Sequence, residues 1–334
     1  MGTVLAAGIV VYRNNAGKRE YLLLKRKEGW LDLPKGHIEE KEDEYEAAKR
    51  ETREETGLEV HPHRFFRYVA EYSYEDNGKT INKKVIFFIG KSGGSNAVSS
   101  SEHVGVEWLS VEELLVKLTH DNDNSKLNVI DVLKAADSYI EKLEMLHKIN
   151  KEHAKLPQLH DGWNLSRTFV PGEGSLSATV MFIGQAPGKN EDIERRPFIG
   201  MAGKLLDQLI HLAGMKRKDV YISNIVHFFP PGNRLPTEEE AALEMPYLLK
   251  EIEIIKPKIL VLLGSFSAMN VAGIGQVMKN HGTHKYMEKY GCEVFITLHP
   301  AAAVRIKANV PIMEKDFNKL KQLISSDSDR QKLL

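Results

Sequence analysis

The sequence predicts two domains in tandem: an N-terminal α+β domain built on a mixed sheet, then a C-terminal α/β domain whose central, mostly parallel sheet lies between helices. Three observations predict this. The 334 residues exceed one ordinary core and suffice for two domains of about 150 residues each. The first 110 residues carry runs rich in Val, Ile, Phe and Tyr, with one acid-rich helical segment among them. After residue 175 strand and helix patterns alternate, which places helices on both faces of a parallel sheet.

In chain order, residues 8–12, 21–25, 65–74 and 83–91 read as strands, and residues 42–56 as the helix that interrupts them. Residues 111–118 and 129–146 carry helical apolar spacing, with the polar stretch 121–128 as the loop between them. The polar end of the second helix leads into Leu156-Pro157, so residues 141–155 read as a helical linker zone between domains at 1–140 and 156–325. Beyond it, residues 179–183, 220–226, 259–263 and 292–298 read as strands, and 202–213, 238–255 and 313–324 as helices. The Ser-rich stretch 92–101 reads as a mobile loop and residues 326–334 as a mobile tail.

Composition narrows the function classes. Net charge is zero, from 46 basic and 46 acidic residues, which argues against an indiscriminate nucleic-acid binder. The halves differ: residues 1–140 hold 20 Lys+Arg against 24 Asp+Glu, leaving 26 against 22 for the remainder. A single cysteine, Cys292, excludes an intrachain disulfide and suits a reducing, cytoplasmic setting. No apolar run reaches the roughly 20 residues of a membrane span, and Met1-Gly2-Thr3 opens a strand rather than a basic leader, so a soluble protein with no membrane partner is expected. Nothing in these features sets the oligomeric state.

One segment stands apart from its surroundings. Between Gly36-His37-Ile38-Glu39-Glu40-Lys41-Glu42 and Arg50-Glu51-Thr52-Arg53-Glu54-Glu55-Thr56-Gly57-Leu58 the chain spells G-x5-E-x7-R-E-T-x-E-E-x-G-L. Helical spacing puts Glu51, Glu54 and Glu55 at i, i+3 and i+4 on one face. Carboxylates that close repel one another unless a cation sits among them, and a hard ion such as Mg2+ takes oxygen ligands and bridges to substrate phosphates. A solvated amphipathic helix is the plain alternative for an acid-rich segment, but it does not require Gly, Arg and acids at fixed intervals.

The segment resembles the Nudix box of hydrolases that split a nucleoside diphosphate linked to another group, departing from it at Thr52, where an aliphatic residue is usual. The resemblance implies Mg2+ (or Mn2+) held by a set of Gly36, Glu51, Glu54 and Glu55, with Glu54 also catalytic. It implies that Arg50 orients the acids by ion pairing, that Glu42 is a structural partner, and that Gly36 and Gly57 shape a loop–helix–loop. The words Leu33-Pro34-Lys35-Gly36-His37, Ser101-Glu102-His103 and Trp108-Leu109 resemble diadenosine tetraphosphate hydrolases. That likeness implies a phosphate contact from Lys35, substrate binding by His37 and a distal catalytic acid in Glu102; an exposed loop acid is the alternative for Glu102. Phe87 falls where such enzymes carry a base-stacking ring, with a core strand residue as the alternative.

In the second domain, three loops fall at strand ends, where ligands belong in open α/β sheets. They are Gly184-Gln185-Ala186-Pro187-Gly188, Asn224 with Pro230-Pro231-Gly232-Asn233-Arg234, and His299-Pro300. Any one of them alone is an ordinary turn. Together with Arg196-Pro197-Phe198-Ile199-Gly200-Met201-Ala202-Gly203-Lys204-Leu205-Leu206 they resemble the uracil-DNA glycosylase superfamily, family 4, over roughly residues 155–325. The resemblance implies that Phe198 stacks on a flipped base, that Asn224 reads the uracil edge, and that His299 stabilises the departing uracil anion. A carboxamide offers both the donor and the acceptor that edge needs, and a donor aimed at developing charge is worth on the order of 3 kcal/mol in a dry site.

Two departures bear on mechanism. Gln185 stands where family 4 usually has the glutamate that orients water, and an amide holds water without accepting its proton; Asp192 is a candidate substitute. Family 4 also holds a four-iron cluster on four cysteines, two of whose positions correspond here to Phe228 and Glu244. One cysteine cannot ligate such a cluster, so no iron–sulfur cluster is expected, and packing of Phe228 and Trp163 should close that corner. In Ala301-Ala302-Ala303-Val304-Arg305-Ile306-Lys307, Val304 is a weak plug for a vacated base stack, whereas Arg305 and Lys307 suit phosphate. Single-stranded or mismatched uracil-containing DNA is therefore the expected partner, beside a nucleotide substrate for the first domain. The expected protein combines both hydrolases; the rival pairs hydrolysis of noncanonical nucleoside triphosphates with a second domain that binds without cleaving.

Overall fold

The computed structural model describes residues 3–76, 79–94, 97, 103–120, 127–160 and 162–331. The chain divides into two compact units, Met1–Glu141 and Lys142–Leu334.

The first unit contains strands β1 (Thr3–Asn15), β2 (Lys18–Arg26), β3 (Leu31–Asp32) and β4 (Lys35–His37), then helix α1 (Glu44–Thr56). After it come β5 (Tyr68–Asp76), β6 (Lys79–Lys91), β7 (His103–Leu109), α2 (Val111–His120) and the start of α3 (Val129–His153). Strand order is β3-β2-β1-β6-β5, with β4 on β1 and β7 on β2. β1 and β6 run parallel and the remaining pairs antiparallel, so the sheet is mixed. Alternation along the strands turns Ala7, Ile9, Val11, Leu22, Leu24, Ile86 and Phe88 to one face, where they pack with Ala47 and Ala48 of α1.

Helix α1 starts later than the acid pattern suggests because Asp43 caps it. The Asp43 carboxylate accepts from the N–H groups of Tyr45 and Glu46, and Glu46 reaches back to close a capping box. Glu42 therefore lies ahead of the helix. At the other end Gly57, at φ 69°, donates to the Arg53 carbonyl and stops it. Helix α3 continues past Leu146 to His153, through most of the stretch read as a linker, since no Gly or Pro interrupts it.

The second unit follows with α4 (Leu156–Leu159), β8 (Glu173–Gly174), β9 (Val180–Gly184), α5 (Lys189–Glu194), α6 (Met201–Leu212), β10 (Tyr221–Asn224) and α7 (Glu238–Ile255). Then come β11 (Ile259–Leu263), α8 (Gly264–Ala272), α9 (Val277–Asn280), β12 (Thr283–Met287), β13 (Cys292–Thr297), α10 (Pro300–Arg305) and α11 (Val310–Gln331). The sheet order is β12-β13-β11-β9-β10-β8. β13, β11, β9 and β10 are parallel, and β12 and β8 close the edges antiparallel. β9 and β11 are buried along their whole length, as strands covered on both faces must be.

β12 and α8 escape the sequence pattern because β12 is mostly exposed and α8 is built largely of small residues. Helix α11 runs on to Gln331 across most of the expected tail, which contains no Gly or Pro before that point. Phe228 is fully buried, and its ring meets Trp163 edge-on at 5.1 Å. Cys292, at the start of β13, is buried, and desolvation pushes its thiol up to about 11. Among the described residues no helix is long and apolar enough to cross a membrane.

Candidate active sites

The acid cluster of the first unit is assembled by one close approach. β4 pairs with β1 so that Gly36 lies opposite Ala7, and a Cβ on Gly36 would overlap the Glu51 carboxylate. Arg50 then gathers the acids: its Nε and Nη2 bind Glu42 at 2.9 Å each, and its Nη1 reaches Glu51 at 2.8 Å and Glu54 at 3.2 Å. Nη2 also donates to the His37 carbonyl at 2.9 Å, tying the loop to the helix. Arg50 holds the Glu42 carboxyl below its usual range.

Glu55 accepts the Lys35 backbone N–H at 2.8 Å. Its burial pushes the carboxyl up to about 7, against the opposing pull of Lys35. Glu54 keeps half its side chain in solvent. This all-oxygen donor set suits a hard divalent cation, and a buried carboxyl that favours its neutral form is one for which such a cation would supply the missing charge.

Other sequence-singled residues fall differently. The Lys35 ammonium is buried against Asp32 at 2.5 Å, and Asp32 also binds Arg26 at 2.9 Å, so Lys35 is engaged within the protein. The His37 side chain is exposed. Phe87 is completely buried in β6, paired with Gly8 and Tyr68. Its ring offers no face to a nucleotide base, which corrects the stacking expectation in favour of a core residue. Glu102 lies outside the described residues. Asp32 and His103, whose Nε2 stands 3.8 Å from Glu55, join the cluster without having been singled out.

In the second unit a cavity of about 240 Å³ lies at the carboxyl ends of β9, β10 and β13, lined by Gln185, Glu191, Phe198, Asn224, His299 and Arg305 among others. Glycines make room for its reading face. A Cβ on Gly184 would overlap the Phe198 ring and Asn224 Oδ1, and one on Gly203 would overlap the Phe198 carbonyl. Phe198 itself sits at φ 51°, a left-handed conformation costing a bulky residue on the order of 1–3 kcal/mol. Arg217 secures it by donating to the carbonyls of Phe198 at 3.1 Å and Pro197 at 2.6 Å.

Two polar atoms in this cavity are buried without a hydrogen-bond partner, Asn224 Oδ1 and His299 Nε2. His299 Nδ1 accepts the Ala301 N–H at 3.1 Å. The neutral ring must therefore carry its proton on Nε2. Burial, reinforced by Arg305, pushes this histidine down to about 4, so it is neutral at pH 7. The cavity thus presents one unused acceptor and one unused donor beside an aromatic ring that lies 5.7 Å from the imidazole. Leaving such groups unpaired is costly, on the order of 1–3 kcal/mol each, and a ligand with a matching edge relieves both.

A family model of the uracil DNA glycosylase superfamily matches residues 171–324, and a NUDIX domain model matches residues 2–130. The type-4 uracil-DNA glycosylase of Saccharolobus solfataricus is 43% identical over 173 residues, covering 49% of this chain and 80% of the relative. That of Thermotoga maritima is 39% identical over 170 residues, covering 49% and 88%. The asymmetrical bis(5'-nucleosyl)-tetraphosphatase of Caenorhabditis elegans is 37% identical over 117 residues, covering 34% and 83%. The chain belongs to both families, as a Nudix hydrolase fused to a type-4-like uracil-DNA glycosylase domain.

In the glycosylase domain, Glu191 and Arg217 matter to the pocket and were not singled out from the sequence. Glu191 Oε1 accepts the N–H groups of Ile199 at 3.0 Å and Gly200 at 2.9 Å, fixing the turn into α6. Asp192 is turned away: it takes the Ser166 hydroxyl at 2.5 Å and does not line the cavity, which removes it as a stand-in for the missing glutamate. The only sequence hint for Glu191 was its place in the Asn190-Glu191-Asp192 triplet. Arg217 carries no local signal, because its contacts reach back about twenty residues along the chain.

Proposed function

We propose that the glycosylase domain excises uracil from DNA and that the Nudix domain hydrolyses a nucleotide polyphosphate bridge of the dinucleoside tetraphosphate type. The observation that carries the first reading is the unpaired Asn224 Oδ1 and His299 Nε2 in one cavity. A flipped uracil stacks on Phe198, and its N3–H donates to Asn224 Oδ1. As the glycosidic bond lengthens, negative charge grows on the uracil O2, and the neutral His299 donates its Nε2–H to it. The sugar, left with oxocarbenium character, demands little of its nucleophile, so Gln185 has only to hold a water by hydrogen bonds.

In the Nudix domain Glu51, Glu54 and Glu55 would hold Mg2+ or Mn2+. When bound, the ion neutralises phosphate charge and polarises the bridge under attack. Glu54, the most exposed of the three, would take a proton from an attacking water, while Arg50 holds the acids in register.

DNA approaches the cavity past α10. Val304 is half-buried there, whereas Ile306 is 59% exposed next to the exposed Arg305 and Lys307. Ile306 is thus the better-placed wedge, though short enough that single-stranded and U·G substrates should still be preferred over U·A.

The test is base release from labelled single-stranded, U·G and U·A oligonucleotides, read by alkaline scission, with His299→Ala as control. Release that vanishes in the control supports excision; tight binding without release would make the domain a recognition module. Products from diadenosine tetraphosphate decide the Nudix substrate. ATP plus AMP supports the reading, whereas a preference for noncanonical triphosphates with pyrophosphate release would overturn it.

A further inference from the structure

A second set of buried ligating atoms lies in the glycosylase domain outside the base cavity. His153 at the end of α3, His227 after β10 and Glu244 in α7 are at most 1% exposed, and their ligand atoms all lie within 4.8 Å of one another. His153 Nε2 stands 3.1 Å and His227 Nδ1 3.4 Å from Glu244 Oε2. A tetrahedral Zn2+ with bonds of about 2.0–2.1 Å holds neighbouring ligand atoms about 3.3 Å apart, so both spacings fit one shared ion.

The hydrogen bonding agrees with that geometry. His227 Nδ1 and Glu244 Oε1 are buried without hydrogen-bond partners. On the other side of the His227 ring, Nε2 faces Ser223 Oγ at 3.0 Å and Glu251 Oε2 at 3.6 Å, and Ser223 donates to Glu251 at 2.6 Å. With a carboxylate and hydroxyl behind one ring nitrogen, the neutral ring keeps its proton there and turns the lone pair of the other toward Glu244 and His153, the arrangement that orients a metal-binding histidine. Charge points the same way. Glu244 and Glu251 place two carboxylates in a region no more than 2% exposed, and one divalent cation balances both.

We propose that His153, His227 and Glu244 bind a Zn2+ ion, Glu244 through both of its oxygens, and that the ion fastens the loop carrying Asn224. Two imidazoles with a carboxylate suit zinc better than Mg2+, which separates this site from the all-oxygen Nudix cluster. The site would be structural, since all three ligands are buried and Tyr247 stacks on His153 at 4.0 Å with Phe169 and Phe228 packed against the same ring. Asn224 lies three residues before His227, whose N–H is held by Glu244 Oε2 at 2.5 Å and whose carbonyl accepts the Val170 N–H at 2.9 Å.

The experiment measures zinc in the full-length protein purified without chelator and equilibrated with excess Mg2+, which fills the Nudix acids. The expected result is about one zinc per chain in the wild type and in Glu51→Gln/Glu54→Gln, falling at least tenfold in His153→Phe and Glu244→Gln. Should those variants fail to fold, Co2+ added to the wild type gives the reading by itself: the visible band of tetrahedral cobalt, displaced by Zn2+, supports the site. Wild-type protein with less than about a tenth of a zinc per chain and no such band overturns it. So does zinc that is lost with the Nudix acids and retained in His153→Phe.

Discussion

His299 shows how one neighbour decides the chemistry of a side chain. Because the Ala301 N–H claims Nδ1, the ring has its single proton on Nε2, where a leaving uracil would place its charge. Removing that donor in His299→Ala should slow base release about 10²–10³-fold with little change in DNA binding, measured in single-turnover assays. The same residue sets a pH dependence. Its folded value of about 4 lies below the ordinary 6.5, so the unfolded chain takes up the proton first. The stability associated with the neutral ring is present above pH 6.5 and is lost as pH falls toward 4, by about 3 kcal/mol at most. Denaturant midpoints of wild type and His299→Gln at pH 7 and pH 4 should show the wild type losing more on acidification. Base release, for its part, should show no inflection near pH 6.5. At Gln185 a carboxylate would assist the water, so Gln185→Glu should accelerate release in the same assay; a slower variant would mean that the amide donor itself is needed.

Among the elements, helix α1 shows why the sequence set limits only approximately, as it also did for α3 and α11. The acids of the Nudix box drew attention to residue 42, yet Asp43 is the residue that can accept two backbone N–H groups, so the helix begins after it. Asp43→Ala should cost about 1 kcal/mol in a denaturant melt by removing that cap. At Gly36 the constraint is steric: any side chain displaces the Glu51 carboxylate, so Gly36→Ala should abolish metal-dependent hydrolysis while circular dichroism stays native. Alternating or wholly apolar strands such as β9 and β11 were legible, because burial on both faces writes itself into composition. β12 was not, since it is an exposed edge strand recruited by its antiparallel partner β13 rather than by its own sequence.

For the whole molecule, two chemistries of opposite electrostatic demand share one chain. On the proposed reading, the Nudix half gathers carboxylates to hold a cation, whereas the base in the glycosylase cavity would meet the neutral Phe198, Asn224 and His299. The motifs that mark them were readable because each compresses its residues into short words, as at residues 36–57 and 184–188. What escaped was assembled by tertiary distance: Arg217 behind Phe198 and the meeting of His153 with Glu244 across 91 positions of chain. If the two activities are as proposed, Glu54→Gln should remove hydrolysis of diadenosine tetraphosphate and leave base release intact, and His299→Ala should slow base release and leave hydrolysis intact, each measured on the same preparations. Loss of both from either change would mean that the sites depend on one another.

The buried Cys292 opens a practical route to watching this protein at work. With its thiol pushed up to about 11 and shielded from solvent, it is close to inert toward maleimides at neutral pH. A cysteine placed at exposed Ile306 would then be the one readily labelled sulfur, without first mutating the native residue. A fluorophore there would report arrival of a DNA strand in real time, and its quenching could be timed against the appearance of free base.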